Sequence, residues 1–479
     1  MPIVAASDPI PLCIDLDGTL IRSDTLLESV LELLKRQPLA ALQFPVWLVQ
    51  GRAYLKARIA ERVSLQVETL PYREEFVAWA RNEAAVRPVV LVTAAHQRTA
   101  DSVAAHLGLF REVIATGAVN LKGRRKAATL VERYGTKGFD YAGNDDADLP
   151  VWREARDAIV VGAPSSVAAQ ARASASVTRE FEPNGPLKQR ALAWLRALRL
   201  YQWVKNVLIF ITPAAAHRIL QPETLEATLL AFVAFGLAAS GIYLVNDLLD
   251  LTSDRRHPRK RTRPFAAGTL PLGGGFVAAP ALLIAALWIA ATLGWPFMLT
   301  LLAYLLCTTV YSFWLKRKTI IDVAMLAALY TLRVVAGATA TGLTLSFWLI
   351  AVCAYGFLGL ALLKRYSELR ELEIEGGVSA AGRGYVTADL PVVLVLGVGS
   401  SLVATLVTAL YIESQASQVL YAHPEFLWAL VGLMLLGIGR MWLFAGRGAM
   451  HDDPIVFVAR DRWCLLLVFL AAVVVAVAV

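Results

Sequence analysis

Residues 246–264 read NDLLDLTSDRRHPRKRTRP and set three aspartates against a dense run of basic residues at the end of a long apolar segment. Asp247, Asp250 and Asp254 are spaced i, i+3 and i+7, which lines their carboxylates along one face of a helix. Carboxylates crowded at a membrane helix end repel one another unless they hold a cation, and oxygen ligands suit Mg²⁺. Because Mg²⁺ typically bridges protein carboxylates to substrate phosphates, the pattern predicts a diphosphate site. The alternative interpretation is a solvated helix end with ordinary basic flanking residues.

The basic residues after the aspartates would take the phosphate charge that the metal leaves unbalanced. We predict that the three aspartates are catalytic groups and metal ligands, and that Asn246 is a further metal ligand that also contacts the substrate. The phosphate-binding groups predicted in this stretch are Arg255, Lys260 and Arg263.

The composition of the chain is that of a membrane protein, and its long apolar segments all lie after residue 199. Over all 479 residues, 57% are hydrophobic and 18% are charged, whereas soluble proteins average about 45–50% apolar and about 25% charged residues. Most of the apolar segments reach the roughly 20 residues that a spanning helix needs. We predict nine spans, with eight as the alternative count, at residues 204–217, 225–247, 275–294, 296–314, 320–342, 345–363, 391–411, 425–445 and 463–479.

The basic residues predict how these spans are oriented. If all nine cross, loops 248–274, 315–319, 364–390 and 446–462 share one face and carry 16 Lys and Arg, whereas the opposite loops carry only Arg218. The side richer in Lys and Arg is normally cytosolic. The first residues lack the features of a signal peptide, so we expect the N-terminal region to be cytosolic as well. The formal net charge of +8 therefore favours lipid and anionic substrates over nucleic acid as partners.

Residues 1–180 have the pattern of a soluble α/β domain. Short apolar strand candidates at 11–16, 89–93, 113–115, 139–142 and 158–161 alternate with helical stretches, which predicts a parallel sheet. A helical segment at about 24–82 interrupts the first unit and is interpreted as a small cap. Residues 181–190 contain Pro183, Asn184, Gly185 and Pro186 and are predicted to be a linker.

The stretch Asn246–Asp254 resembles the first motif, NDxxDxxxD, of the UbiA-type prenyltransferase superfamily. That resemblance implies a nine-helix transmembrane domain over residues 191–479. The classical aromatic prenyltransferases of the superfamily carry a second aspartate-rich motif, but the corresponding loop here reads KRYSELRE at 364–371. Segments 199–206, 322–337 and 452–462 are instead similar to the polyprenyl-phosphate (decaprenyl-phosphate) phosphoribosyltransferase branch.

Membership of that branch would imply Mg²⁺-dependent transfer of 5-phosphoribose from phosphoribosyl pyrophosphate to a polyprenyl phosphate. One carboxylate cluster then suffices, but two further phosphates require additional cations. The candidates are Lys205, Lys316, Lys318, Arg333, Lys364, Arg365 and Arg460, with Tyr366 as a possible ribose contact. Lys316 and Lys318 could equally be membrane anchors, and Arg333 could be paired with Asp322.

The N-terminal stretch Asp15-Leu-Asp17-Gly-Thr resembles the first motif, DxDGT, of haloacid dehalogenase-like phosphohydrolases. The resemblance implies that Asp15 is a nucleophile and Asp17 a general acid/base, both also contacting Mg²⁺. Thr93 matches the family's phosphate-binding hydroxyl, and Lys126, or alternatively Lys122, matches its lysine. The fourth motif departs from the family pattern, because asparagine replaces the first acid. The metal-ligand candidates there are Asn144, Asp145 and Asp148.

Two interpretations of the N-terminal domain stay open, an active phosphatase and a reduced or purely structural domain. An active domain would remove the 5-phosphate from the lipid product, in a pathway of cell-envelope synthesis at the inner (cytoplasmic) membrane. Two rival functions stay open for the whole chain. One is an aromatic prenyltransferase of the ubiquinone-biosynthesis type, and the other is a lipid-binding or transport bundle with a regulatory domain. The sequence does not define the oligomeric state.

Overall fold

A computed structural model describes residues 9–117, 119–182, 187–378, 383–450 and 453–479. Residues 183–186 of the predicted linker, and Asp452, lie outside these ranges. The chain divides into two units. The first comprises the described residues up to Leu198 together with Tyr243–Ala278, and the second comprises Arg199–Ile242 and Ala279–Val479. The acidic stretch therefore groups with the N-terminal region, although it lies far from it in sequence.

Six parallel strands form the sheet of the first unit, in the order β3-β2-β1-β4-β5-β6. This order is that of a doubly wound α/β fold, in which ligands bind at the carboxyl ends of the strands. The predicted parallel sheet is confirmed, and all five predicted strands are present. The strands are β1 Leu12–Ile14, β2 Val89–His96, β3 Glu112–Thr116, β4 Asp140–Gly143, β5 Ala158–Val161 and β6 Val177–Phe181.

Helices cover the sheet and build the cap. The segments between β1 and β2 include a separate apolar cluster formed by Leu33, Ala40, Trp47, Ile59 and Val63, whereas Phe76, Val77 and Ala80 pack on the sheet. We therefore use "cap" for residues 25–63. The helices of this region are α1 Thr25–Arg36, α2 Phe44–Val49, α3 Arg52–Arg62, α4 Glu74–Ala84, α5 Gln97–Leu107, α6 Arg124–Tyr134, α7 Leu149–Glu154, α8 Ser165–Ser174 and α9 Leu187–Leu198. Shorter 3₁₀ segments are Pro38–Gln43, Val67–Thr69 and Asp146–Asp148.

The remainder of the described chain is helical. Its α-helices are α10 Ile211–Ala215, α11 Pro222–Leu249, α12 Leu251–Arg256, α13 Leu272–Thr292, α14 Trp295–Phe313, α15 Ile321–Thr341, α16 Phe347–Ile374, α17 Leu390–Ile412, α18 Gln415–Leu420, α19 Trp428–Gly446, α20 Pro454–Arg460 and α21 Arg462–Ala478. The 3₁₀ segments are Leu200–Phe210, Lys260–Thr262, Leu315–Arg317, Thr387–Asp389 and Pro424–Leu427.

The number of spans differs from the predicted nine. Within the described residues, seven helices are long and apolar enough to cross a membrane, or up to eight if the pair α20 and α21, bent by 87°, is one span. The segment predicted at 204–217 does not form a spanning helix. It consists of the 3₁₀ segment Leu200–Phe210 followed by the five-residue helix α10, which contains Pro213. Proline lacks the N–H that a continuing helix needs, so the prediction of a span here is wrong.

Close packing fixes the segment Leu200–Phe210 against α15 within the second unit. A Cβ added to Gly337 of α15 would lie 2.1 Å from the carbonyl oxygen of Ile209. Only glycine allows this approach of the two backbones. The contact matters for the site, because the same segment carries Lys205 and Asn206.

Candidate functional site

Asp15 and Asp17 follow β1 at the carboxyl end of the sheet. The turn that directly follows them requires Gly18, whose φ is +77° and whose Cβ would lie 2.2 Å from Asn144 Nδ2. That close approach brings the first and fourth predicted motifs together. Residues of both motifs line a cavity of about 540 Å³, among them Asp145 and Asp148 of the fourth motif, and Lys126 lines the same cavity.

Lys126 lies buried at the centre of this cavity's polar wall. Its Nζ donates to Asp15 at 2.8 Å and to the Tyr141 hydroxyl at 2.7 Å, and it lies 3.7 Å from Asp148. Burial would lower the pKa of Lys126, but the Asp15 and Asp148 carboxylates outweigh it and raise that pKa. Lys126 is therefore a permanent positive charge beside Asp15, whereas Lys122 contacts Asp145 at 3.7 Å.

The carboxyl groups of the first motif are both hard to ionise. Burial raises the pKa of Asp15 to about 6, against the opposing charge of Lys126. Burial, with the charges of Asp24 and Asp15, raises the pKa of Asp17 to about 8. Asp17 accepts hydrogen bonds from the Thr25 N–H at 2.8 Å and hydroxyl at 3.2 Å. A high pKa suits a group that must donate a proton near neutral pH.

The fourth motif divides its acids between two roles. Asp148 is buried and accepts from the Tyr141 hydroxyl at 2.7 Å and from the N–H groups of Asn144 and Asp145 at 2.8 and 3.1 Å. Asn144 Oδ1 accepts from the Thr19 hydroxyl at 3.1 Å. The Asp145 side chain, half-exposed and lining the cavity, is therefore the more available of the two carboxylates.

Two further residues differ from the sequence interpretation. Thr93 is fully buried and its hydroxyl accepts from the Ala95 N–H at 3.0 Å, so Ala94 and Ala95 line the cavity in its place. Lys56 of the cap was missed by the sequence interpretation. It lines the cavity and donates to Asn120 Oδ1 at 2.9 Å. No motif marks Lys56, because the cap segment alone does not reveal which of its basic residues face the strand ends.

The acidic stretch brings two of its three aspartates together. Asp247 and Asp254 are buried, and Arg263 Nη1 donates to both, at 3.1 and 2.7 Å. Asp250 lies apart from them and contacts Lys35 at 3.5 Å, with its side chain 42% exposed. The predicted single face is interrupted because α11 ends at Leu249 and Asp250 is the N-cap residue of α12.

The neighbours of these aspartates are engaged in other ways. Arg255 forms a bidentate pair with Glu28 of α1, at 3.0 and 2.7 Å, and both side chains are buried. This placement does not favour the predicted phosphate contact for Arg255. Lys260 is exposed, and Asn246 is half-buried in the last turn of α11.

In the second unit, two predicted lysines converge on an aspartate that was not among the predicted residues. Lys205 and Lys364 donate to the same Asp453 oxygen at 2.7 and 2.9 Å, and the Tyr330 hydroxyl contacts it at 3.2 Å. Burial, with the charge of Lys364, lowers the pKa of Lys205 to about 8. Burial would raise the pKa of Asp453, but both lysines outweigh it and hold that pKa well below its usual range.

Two of the predicted arginines of this unit are buried in separate clusters. Arg333 donates to Asn206 at 3.0 Å and to the Tyr304 hydroxyl at 3.2 Å, and it is not paired with Asp322. Arg365, fully buried, takes Asp322 and Glu368 as its partners. An internal ion pair of this kind holds helices together and leaves Arg365 no open face toward a ligand.

Of the remaining predicted residues, Lys316, Lys318 and Arg460 lie at helix ends, and Tyr366 lies within α16. Lys316 is half-buried and Lys318 is exposed, in and just after the 3₁₀ segment Leu315–Arg317. Arg460 is exposed in the last turn of α20. The ring of Tyr366 packs edge-on against Trp442, with centroids 5.6 Å apart.

Among the described residues, no three His, Cys, Asp or Glu side chains lie close enough to hold a metal ion by themselves. Mg²⁺ bound to a nucleotide-like substrate typically uses only one or two carboxylates and takes further ligands from phosphates and water. The pair Asp247 and Asp254 has this character.

Comparison with known proteins relates the chain to membrane prenyltransferases. The UbiA prenyltransferase family matches residues 207–465, more than half of the chain. The Sinorhizobium fredii protein named "Uncharacterized protein y4nM" is 37% identical over 460 residues, covering 95% of this chain and 88% of that protein. The alignment therefore spans both the N-terminal and the helical regions.

A decaprenyl-phosphate phosphoribosyltransferase from Corynebacterium glutamicum is 40% identical over 188 residues, which is 38% of this chain and 57% of that enzyme. The chain thus matches little more than half the length of that relative. A solved UbiA homolog from Archaeoglobus fulgidus, bound to GPP and Mg²⁺, is 17% identical with a TM-score of 0.44, covering 59% of this chain and 97% of that one.

Proposed function

Because the chain belongs to the UbiA prenyltransferase family, as a multi-pass membrane protein, we propose that it transfers 5-phosphoribose from phosphoribosyl pyrophosphate to a polyprenyl phosphate. The likeness to a decaprenyl-phosphate phosphoribosyltransferase supports this donor and acceptor. The proposed location is the inner membrane, with the N-terminal region and the acidic stretch in the cytosol.

The observation that carries the proposal is the pairing of Asp247 and Asp254 around a single cationic atom. Both carboxylates are buried, and one guanidinium nitrogen of Arg263 lies within 3.1 Å of each. Two buried carboxylates that share one cation can also share a divalent ion, so the donor set fits Mg²⁺. When bound, Mg²⁺ would neutralise the diphosphate and improve pyrophosphate as a leaving group. Asp250 lies apart from this pair, so the remaining ligands would come from the diphosphate and from water.

The reaction would break the bond between ribose C1 and the diphosphate oxygen and form a bond from C1 to an oxygen of the lipid phosphate. Positive charge develops at C1, and the acceptor phosphate is already anionic, so no side chain has to remove a proton. We propose that Lys205 and Lys364 neutralise phosphate oxygens, since Asp453 holds both ammonium groups at one point. Catalysis would then rest on positioning and charge stabilisation.

A cavity in the second unit supports a lipid acceptor. It has a volume of about 1030 Å³, and its lining is almost entirely apolar, including Phe357, Leu360, Met434 and Leu467. Ligand cavities lined in this way bury apolar groups, so a polyprenyl chain is a suitable occupant.

For the N-terminal region we propose a haloacid dehalogenase-like phosphatase over about residues 1–180, which removes the 5-phosphate of the lipid product. Asp15 would attack phosphorus as the ester oxygen leaves with a proton from Asp17, and water would then hydrolyse the aspartyl-phosphate. The residues suited to Mg²⁺ are Asp15, the carbonyl of Asp17 and Asp145. Lys126, held against Asp15, would stabilise the phosphoryl charge.

Purified protein in nanodiscs, given radiolabelled phosphoribosyl pyrophosphate and a polyprenyl phosphate, tests the transfer directly. Label should enter the lipid fraction, and Asp247→Asn and Asp254→Asn should each reduce the rate by about 100-fold or more, because the developing charge loses its metal site. The exposed carboxylate Glu425 provides a control, since Glu425→Gln should keep the full rate. If the lipid stays unlabelled, and the protein instead transfers a prenyl group from an added prenyl diphosphate to an added benzoate, the aromatic prenyltransferase alternative is established.

A further inference from the structure

The cap exposes several large apolar side chains that lie close together in sequence. Five of these side chains have exposed fractions from 54% to 89%, and we call them the apolar cap surface: Leu39, Leu42, Val46, Leu48 and Val49. They belong to the 3₁₀ segment Pro38–Gln43 and to α2, which together form a short apolar helical stretch, Pro38–Val49. A soluble domain seldom leaves such a patch open to water unless it binds something.

This surface is not the core side of the stretch. Ala40 and Trp47 turn inward and pack with Leu33, Ile59 and Val63, so the cap already has its own apolar cluster. From Gln37 to Gly51 the chain contains no Asp, Glu, Lys or Arg. A stretch with no charged residue and five apolar side chains that are each more than half exposed is suited to the boundary between lipid headgroups and acyl chains.

Basic residues flank the stretch on both sides. Lys35 and Arg36 end α1 just before it, and Arg52 begins α3 just after it. All three residues are exposed. Lys and Arg side chains near an anionic leaflet are attracted to it. Lys35 and Arg36 also contact Asp250 and Glu32, and Arg52 adds a further positive charge, so the flanking residues suit an anionic bilayer better than an uncharged protein partner.

The apolar cap surface is connected to the N-terminal cavity. Leu48 belongs to the surface and also lines the cavity that contains Asp15 and Lys126. Pro271, Leu272 and Gly273 line the same cavity. Leu272 is the first residue of α13, a helix long and apolar enough to cross a membrane. The cavity wall therefore includes one residue of the apolar cap surface and the start of a transmembrane helix.

We propose that the apolar cap surface docks on the headgroup region of an anionic bilayer and presents the N-terminal cavity to phosphate groups carried by lipids. The docking itself is independent of the chemistry in the cavity. Its consequence, selection of a lipid-borne phosphate monoester over a soluble one, rests on the proposed phosphatase function.

Lipid contact is measured on the full chain in nanodiscs containing phosphatidylglycerol and spin-labelled phosphatidylcholine. Leu42→Cys and Val49→Cys, each labelled with bimane, should be quenched several-fold more strongly than the matched control Ser166→Cys, which is exposed on α8. Signal from the protein without these substitutions corrects for the native cysteines. Quenching at Leu42→Cys and Val49→Cys no greater than at Ser166→Cys overturns the docking.

Substrate selection is measured with the double variant Leu42→Glu and Val49→Glu, neither residue of which lines the cavity. We expect at least about tenfold slower dephosphorylation of a polyprenyl-linked phosphate monoester, because charged residues oppose interfacial insertion. Hydrolysis of p-nitrophenyl phosphate should stay within about twofold. Equal losses on both substrates overturn the selection. Absence of hydrolysis by the unaltered protein refutes the phosphatase, while the quenching measurement still decides the docking.

Discussion

Arg263 is the residue on which the acidic stretch now depends. Its guanidinium lies between two buried carboxylates, so it offsets a repulsion that would otherwise oppose folding. In the proposed reaction a metal ion would take over this task. Arg263 would then be released to bind a phosphate oxygen, which reconciles its present contacts with its predicted role.

Replacing this guanidinium should make the protein dependent on magnesium. Arg263→Gln in EDTA should lose about 3 kcal/mol of stability, because two carboxylates remain buried without a cation. Added Mg²⁺ should raise the melting temperature of the variant by more than it raises that of the unaltered protein. Thermal unfolding in detergent measures both, with the exposed Arg256→Gln as the control. An equal Mg²⁺ effect in both proteins would contradict metal binding by this pair.

The pKa of Lys205 near 8 predicts a pH effect on substrate binding. Below that pKa the side chain is an ammonium, and above it the charge that attracts phosphate is lost. The KM for the substrate whose phosphate Lys205 binds should therefore rise about tenfold between about pH 7 and about pH 9. Lys205→Arg should move this rise to higher pH, and the exposed Lys318→Arg should leave the profile unchanged. A rise at the same pH in Lys205→Arg would exclude Lys205 as its origin.

Residue partners were the part of the site that the sequence could not provide. The motifs identified Asp247 and Asp254, but Glu28 carries no motif, and Asp453 was not among the predicted site residues although it lies in the segment 452–462; both became visible through their partners. Pairing with Asp322 was the alternative to a phosphate contact for Arg333, whereas Asp322 binds Arg365. Spacing within one helix is readable from sequence, but contacts between distant helices depend on their packing.

Among the elements, the contact between α15 and the segment Leu200–Phe210 should be the least tolerant of added volume. Gly337→Ala would place its Cβ 2.1 Å from the Ile209 carbonyl oxygen and should cost about 1–3 kcal/mol. Transfer should fall as well, because that segment carries Lys205. Gly399→Ala in α17 meets no atom within 4 Å and should be neutral or stabilising by up to about 1 kcal/mol. Melting temperatures that do not separate the two variants would refute this packing argument.

The elements that were predicted and those that were not differ in their burial. Strands β1 and β5 are fully buried apolar runs, which the sequence displays directly, and β4, which reads DYAG, is fully buried as well. Strand β6 reads VTREF at the sheet edge, with three of its five residues exposed, so its composition gave no strand signal. The predicted span at 204–217 failed for the opposite reason, because an apolar composition was taken for a span although the segment folds as the 3₁₀ segment Leu200–Phe210 and the five-residue helix α10.

At the scale of the whole molecule, two reactions are proposed for one chain, and a single substitution should separate them. Asp15→Asn removes the nucleophile, so the lipid product should keep its 5-phosphate while transfer continues. Mass spectrometry of the lipid fraction distinguishes the two products. Asp146→Asn, an exposed neighbour of the fourth motif, should still yield the dephosphorylated lipid. A dephosphorylated product from Asp15→Asn would exclude the proposed nucleophile.

The grouping of Tyr243–Ala278 with the N-terminal sheet constrains how this protein can be taken apart. A gene shortened to the region shared with the UbiA family would encode the acidic stretch without Glu28 and Lys35, the residues that hold Arg255 and Asp250. Chimeras that graft this stretch into another prenyltransferase should therefore carry the cap along as its companion. The cap and the acidic stretch are best regarded as one structural module, whose two parts are far apart in sequence but belong to the same unit.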